Sequence, residues 1–126
     1  MPRRLTDPAL DTGWTVVALC AEWCSTCRDY RIAFEAHAAA RDDAQYVWVD
    51  IEDDADWLGE VDVETFPTLL VLCGSEPRFY GPLLPAIDVL DRTLRAVTRR
   101  DGARSTIPAA QRAAIERLIE RIARAP

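Results

Sequence analysis

The sequence of 126 residues contains no lysine, a single histidine and no long apolar run. All fifteen of its basic residues are arginines. Since a membrane-spanning helix needs about 18 or more consecutive apolar residues, such a helix is excluded. Internal repeats and low-complexity tracts are absent too. No apolar segment follows the N-terminal Met-Pro-Arg-Arg, so a signal peptide is not visible. These absences, together with the length, are typical of one globular domain.

The charge is acidic overall and unevenly distributed. The net charge is −6, but residues 99–126 carry seven arginines against three acids and are positive. The remaining chain is strongly negative, which argues against nucleic-acid binding along its whole surface because phosphates would be repelled. Eight of the acids fall in residues 50–64. We interpret this segment as a solvated face, with a docking surface for a basic partner as the alternative.

Hydrophobic periodicity predicts an α/β fold in which the first strands run parallel. The predicted strands cover 14–20, 46–50, 68–73 and 78–80, and the predicted helices cover 25–41, 53–60, 85–99 and 108–125. Residues 1–13 are predicted to be a loose lead-in with at most one helical turn, 14–99 the main domain, and 100–107 a linker. Residues 108–126 are predicted to form an amphipathic C-terminal helix. Its apolar side is expected to pack on the domain or to form a homodimer through 108–125.

Two cysteines lie where the first long strand meets the first long helix. Cys24 and Cys27 stand at i and i+3 in the first helical turn, which is within disulfide range. The positive end of the helix favours a thiolate, and the thiolate is the form that attacks disulfides. We therefore predict Cys24 as the nucleophile and Cys27 as the resolving thiol. Zinc is the alternative, but Cys20 and Cys73 lie inside strands and His37 stands alone on a helix, so no metal site is predicted.

At these positions the chain resembles the thioredoxin superfamily. The resemblance rests on Ala21-Glu-Trp-Cys-Ser-Thr-Cys27 after an apolar strand, on Phe66-Pro-Thr68 before another strand, and on Gly81 before the last helix of the domain. It covers about residues 14–99. It implies a thioredoxin fold, that is, a central mixed sheet flanked by helices, here with an extra C-terminal helix. It also implies a redox-active disulfide between Cys24 and Cys27 and no other cofactor.

The resemblance further implies a role for each residue around the cysteines. Pro67 would be a cis-proline, and the backbone at Phe66 would pair with an extended substrate peptide. Trp23 would present a flat apolar surface to partners. Supporting positions would be Ser25 and Thr26 between the cysteines, Glu22 before them, and Gly81. The implied partners are protein disulfides or dithiols and an upstream reductase, in a role in cell redox homeostasis.

The chain departs from the family at two buried positions. Ala18 and Trp48 replace the Asp and Lys that usually handle the proton of the buried cysteine, which leaves Glu22 as the nearest ionisable candidate. The alternative function is therefore a binding or assembly module with little redox turnover. Cys20 and Cys73 are predicted to be buried, inert thiols, with a third redox role for Cys20 as the alternative because it lies close to the pair. A free Cys73 and the lack of a visible signal peptide predict a cytoplasmic protein, and the Ala/Arg bias suggests a bacterial one.

Overall fold

The computed structural model describes residues 2–6, 13–99, 102 and 107–124. In chain order its elements are β1 (Arg3–Arg4), β2 (Trp14–Cys20), α1 (Ser25–Ala39), β3 (Gln45–Asp50), α2 (Ala55–Leu58), β4 (Thr68–Cys73), β5 (Glu76–Pro82), α3 (Ile87–Val97) and α4 (Arg112–Arg124). The strands form one sheet in the order β1-β3-β2-β4-β5. Only β2 and β3 pair in parallel, and the other neighbours are antiparallel. The predicted mixed α/β architecture is confirmed.

Side chains of the central strands alternate between two apolar layers, as the period of two in a strand requires. In β2, Val16, Ala18 and Cys20 face the layer that contains α1 and α3, whereas Val17 and Leu19 face the layer that contains α4. Strands β3 and β4 alternate in the same way. The apolar run in β2 is continuous because both faces of this strand are covered.

Helix α1 lies on the first layer through one stripe of buried side chains, which are Cys27, Tyr30, Phe34 and Ala38. The Phe34 ring is 5.6 Å from Tyr46 and 5.8 Å from Trp48, measured between ring centroids. These contacts hold the helix against β3. They fix the start of α1, and hence the cysteines in its first turn, above the end of β2.

The N-terminal segment contains a strand, so the prediction of a loose lead-in is wrong for residues 3–4. Strand β1 pairs antiparallel with β3, with Arg3 opposite Trp48. The Thr6 hydroxyl accepts a hydrogen bond from the Tyr46 N–H at 3.1 Å, which continues the attachment past the strand. Two arginines show no hydrophobic pattern that would predict a strand. They adopt this conformation because the backbone edge of β3 is open to pair with them. Residues 7–12 lie outside the described residues.

The acidic helix α2 is shorter than the predicted 53–60. It ends at Leu58, and the next residue, Gly59, has a φ of 63° and a ψ of −125°, a region that side-chain-bearing residues avoid. The predicted acidic face is also not wholly solvated, because Asp50 and Asp54 are buried.

Helix α4 covers the second face of the sheet with the apolar stripe predicted from its sequence. Ile115, Leu118, Ile119 and Ile122 are all buried in the layer formed with the inner strands. The stripe therefore packs within the chain, and a dimer through 108–125 would have to use the arginine-bearing sides of the helix. Of the predicted linker, only Gly102 and Ile107 lie within the described residues.

Candidate redox site

The turn between β2 and α1 places Cys24 at the end of a helix. Cys24 is the N-cap residue of α1, with an extended backbone, and its side chain makes no capping hydrogen bond. Its N–H donates to the Ala21 carbonyl at 3.0 Å, and its carbonyl accepts from the Arg28 N–H at 3.0 Å. As the N-cap residue, Cys24 stands at the positive end of the helix. Because it is only half-buried, it is accessible from solvent.

A disulfide joins Cys20 to Cys27, with their Cα atoms 5.8 Å apart. Both residues have no exposed surface. The sulfur of Cys27 also accepts a hydrogen bond from the Ala21 N–H at 3.2 Å. Cys24 and Cys73 are free thiols. The bond present is therefore not the predicted one between Cys24 and Cys27.

The prediction that Cys20 is an inert thiol is wrong in this structure. Cys20 is the last residue of β2 and faces the α1 side of the sheet, where Cys27 is the first buried residue of the helix stripe. The sequence could have predicted this contact. Alternation along β2 places Val16, Ala18 and Cys20 on one face of the strand, and α1, which follows directly in the chain, covers that face. Cys27 thus has one cysteine below it on the strand and another before it in the helical turn, and its sulfur can bond to only one of them.

Two aromatic rings flank the cysteines. Trp23 is 58% exposed, and its ring meets that of Phe66 edge-on with 5.7 Å between centroids. Phe66 and Cys24 both pack at the border of the layer under α1. The Phe66–Pro67 peptide bond is cis. The structure thus brings Trp23, Cys24 and Phe66 to one rim, while Pro67 is buried beneath it.

The other predicted supporting residues are placed unevenly. Ser25 and Thr26 are exposed in the first turn of α1. Glu22 is an exposed rim residue whose carboxylate pairs with Arg31 at 3.1 Å. Gly81 lies on β5, opposite Leu69 and on the far side of β4 from β2.

A buried carboxylate that sequence reasoning missed ties the site together. Asp50 ends β3 directly opposite Cys20. Its carboxylate accepts three backbone N–H bonds, from Glu22 at 2.8 Å, Glu52 at 2.9 Å and Asp53 at 3.0 Å. The β2–α1 turn and the turn after β3 are therefore held by one side chain. Its place at the end of a parallel strand next to the cysteine strand was the signal available.

The two positions that depart from the family pattern are neighbours. Ala18 pairs with Trp48 across β2 and β3, and both face the layer that holds the cysteines. The Trp48 indole Nε1 is buried and finds no hydrogen-bond partner among the described residues. The Arg31 guanidinium lies over the Trp48 ring at 5.8 Å. An aromatic ring and a methyl group thus fill the space where the family usually keeps a proton-handling pair.

Tyr30 extends this apolar environment one turn beyond Cys27. Its hydroxyl is buried and has no partner within the part of the chain that the structure describes. Burial raises the pKa of Tyr30 to about 12. The phenol therefore stays neutral near pH 7 and supplies no charge to the cysteine cluster.

The remaining candidates lie apart from the cysteine cluster. Free Cys73 lies opposite Trp14, at the other end of β2 from Cys20, and it is half-buried rather than buried as predicted. His37 lies 3.6 Å from Asp91, and burial is the main cause that lowers its pKa. In the described ranges, no three His, Cys, Asp or Glu side chains are grouped as metal ligands would be. None of the helices described there is long and apolar enough to cross a membrane.

Comparison with known proteins identifies the family. Residues 8–81 match the family model described as Thioredoxin. Among solved structures, the chain is similar to Fasciola hepatica thioredoxin, with a TM-score of 0.61 and 19% identity over 70% of this chain and 84% of that one. It is also similar to thioredoxin f from spinach chloroplast, with a TM-score of 0.59 and 19% identity over 71% of this chain and 74% of that one. The comparison with curated protein sequences gave no match.

The fold and the family-model match together define the class. This is a thioredoxin-fold protein, with a mixed five-stranded sheet flanked by helices and an additional helix at its C-terminal end. The chain belongs to the thioredoxin family.

Proposed function

We propose that this chain is a thiol–disulfide oxidoreductase that acts on protein disulfides through Cys24 and Cys27. The observation that carries the proposal is the placement of Cys24. Cys24 is a free, half-buried cysteine at the N-cap position of α1, and a cysteine already able to form a disulfide lies one turn further on. That arrangement supplies an accessible nucleophile and a buried resolving thiol.

The reaction would proceed in two exchanges once all three sulfurs of the cluster are reduced. The Cys24 thiolate attacks one sulfur of the substrate disulfide, and the substrate's other sulfur leaves as a thiolate that takes a proton from solvent. Cys27 then loses its proton and attacks the Cys24 sulfur, which releases the second substrate thiol. Two electrons pass from the protein to the substrate, and a Cys24–Cys27 disulfide remains.

The partners follow from this chemistry. The rim formed by Trp23 and Phe66 offers an apolar surface beside Cys24 to a protein substrate. Regeneration of the dithiol requires an upstream reductase that supplies two electrons. A free Cys73 is compatible with a reducing compartment, so we propose a cytoplasmic role in redox homeostasis.

Turnover of insulin disulfides tests the proposal. With a dithiol reductant, the wild-type chain should reduce insulin and Cys24→Ser should lose at least about a hundredfold in rate, because the nucleophile is gone. Cys73→Ser is the matched control, since it removes a free cysteine at the far end of the sheet. If wild type is no faster than Cys24→Ser, the oxidoreductase proposal is wrong.

A second function is favoured by one specific observation. Ala18 and Trp48 leave no ionisable side chain at the two positions that usually handle the proton of the buried cysteine. A binding or assembly module with slow redox turnover would fit this apolar environment. The insulin assay separates the two functions, because such a module would reduce insulin little faster than Cys24→Ser does.

A further inference from the structure

We infer that Cys20 is a third redox cysteine. Inside the folded protein, the disulfide between Cys20 and Cys27 exchanges with a disulfide between Cys24 and Cys27. The inference deepens the proposed function and rests on it for the role of the Cys24–Cys27 disulfide. It starts from the observation that Cys27 is bonded to Cys20 while Cys24 is free. The Cys27 sulfur can therefore form either of two disulfides, one with Cys20 and one with Cys24.

The positions of the three residues allow both bonds. Cys20 and Cys27 have Cα atoms 5.8 Å apart. Residues at i and i+3 on a helical turn, such as Cys24 and Cys27, lie about 5–6 Å apart, which is also within the range for a disulfide. Ala21, the residue between the strand and the turn, donates its N–H to the Cys27 sulfur at 3.2 Å and accepts from the Cys24 N–H at 3.0 Å. The turn thus anchors both cysteines of α1 to one residue.

The exchange conserves electrons. The Cys24 thiolate attacks the Cys27 sulfur, the Cys24–Cys27 bond forms, the Cys20–Cys27 bond breaks, and Cys20 leaves as a thiolate. The proton lost by Cys24 is regained by Cys20 through solvent. No external oxidant or reductant is needed, because the two disulfides are isomers of one oxidation state.

The isomers differ in what they present to partners. With Cys20–Cys27 bonded, both disulfide sulfurs are buried and a free thiol stands at the rim. With Cys24–Cys27 bonded, an accessible disulfide stands there instead, and a neutral thiol is buried at Cys20. The apolar surroundings of Cys20 favour the neutral thiol there. The second isomer accepts electrons from a protein dithiol, and the first shields the disulfide from it.

Peptide mapping distinguishes the isomers, because Glu22 lies between Cys20 and Cys24. The protein, carrying Cys73→Ser, is oxidised and its free thiols are blocked in acidic denaturant. Trypsin and a Glu-specific protease then give fragments 5–22 and 23–28. A Cys20–Cys27 disulfide links the two fragments, whereas a Cys24–Cys27 disulfide lies within 23–28 and leaves a blocked Cys20. We expect linked fragments from the oxidised protein, and a blocked Cys20 in every molecule would overturn the inference.

Native alkylation tests the exchange itself. Iodoacetamide added to the folded, oxidised protein should modify Cys24 whenever Cys27 returns to Cys20, so all molecules should end as linked fragments with an alkylated Cys24. If the Cys24–Cys27 isomer is never detected, or if it is present at the start and its share does not fall, there is no exchange and the inference fails. Cys24→Ser should give only linked fragments, and Cys20→Ser should give only the disulfide within 23–28. Cys20→Ala repeats the latter without placing a hydroxyl in the buried site.

The mapping requires no turnover, so the two failures are distinguishable. Exchange without insulin reduction would reject the oxidoreductase function and leave the role of Cys20 intact. Insulin reduction by a protein whose Cys20 is always a free thiol would reject the role of Cys20 and leave the oxidoreductase function intact.

Discussion

The two faces of the sheet are covered by different kinds of side chain. The face under α1 and α3 holds aromatic rings, three sulfurs, and the buried Tyr30 hydroxyl and Trp48 indole, neither of which finds a partner within the described residues. The face under α2 and α4 is mainly aliphatic. Because the sheet is covered on both sides, one face can hold the reactive groups while apolar packing on the other face stabilises the fold. The C-terminal helix, which lies beyond the family match at 8–81, supplies much of the second face.

The largest effect is expected on the aliphatic face. Leu118 is fully buried there, so Leu118→Ala should lower the free energy of unfolding by about 2–5 kcal/mol in a urea titration. Ile32→Ala is the control, because Ile32 is 72% exposed and its removal should cost less than about 0.5 kcal/mol. The disulfide map of folded Leu118→Ala should match that of wild type. A loss of stability as small as that of Ile32→Ala would show that α4 does not cover the sheet.

A smaller effect, with a dependence on pH, is expected on the face that holds the cysteines. Tyr30→Phe removes a buried hydroxyl that has no partner among the described residues, so at neutral pH the variant should be as stable as wild type or more stable by up to about 1 kcal/mol. Burial raises the pKa of Tyr30 from 10.0 to about 12. The unfolded chain then loses this proton first, and wild-type stability falls as the pH rises from 10 through 12.

The pH effect is measured as the difference between the two unfolding curves. Other buried tyrosines titrate in both proteins, so the difference isolates Tyr30. Stability should decline more in wild type than in Tyr30→Phe over this window. A difference between the proteins that stays constant with pH would contradict the burial of the hydroxyl.

The smallest effect is expected at the margin of the aliphatic face. Arg117 of α4 pairs with Glu60 at 3.3 Å, with both side chains largely exposed. A double-mutant cycle with Arg117→Ala and Glu60→Gln should give a coupling below about 0.5 kcal/mol that disappears in high salt. A much larger coupling at low salt would mean that charge as well as apolar contact holds α4 on the acidic domain.

The main elements could be predicted because their patterns are local. The apolar run in β2, the stripe of α1 and the stripe of α4 each specify one element and its buried side. Strand β1 could not be predicted, because Arg3 and Arg4 owe their conformation to the edge of β3 rather than to their own side chains. Its two residues pair with a segment more than forty positions away.

The candidate site was predictable in its location and not in its bonding. The helix position of Cys24 and Cys27 followed from spacing, and the rim of Trp23 and Phe66 followed from the family resemblance. Whether they carry the proposed reaction stays a prediction. The bond to Cys20 depends on which face of β2 lies beneath α1, a question of three-dimensional register that the linear Cys-x-x-Cys pattern does not address.

The edges of the sheet bear on how copies of this protein meet one another. An unprotected edge strand invites another chain to add to it, and such addition leads to aggregates. Here one outer strand consists of two arginines. The other, β5, contains Pro77 and Pro82, which lack the N–H that a neighbouring strand would need, and a register shift interrupts its pairing with β4. Charge at one edge and missing N–H donors at the other disfavour edge-to-edge strand pairing between molecules. The same features therefore lower the risk of strand-mediated aggregation between copies of this protein.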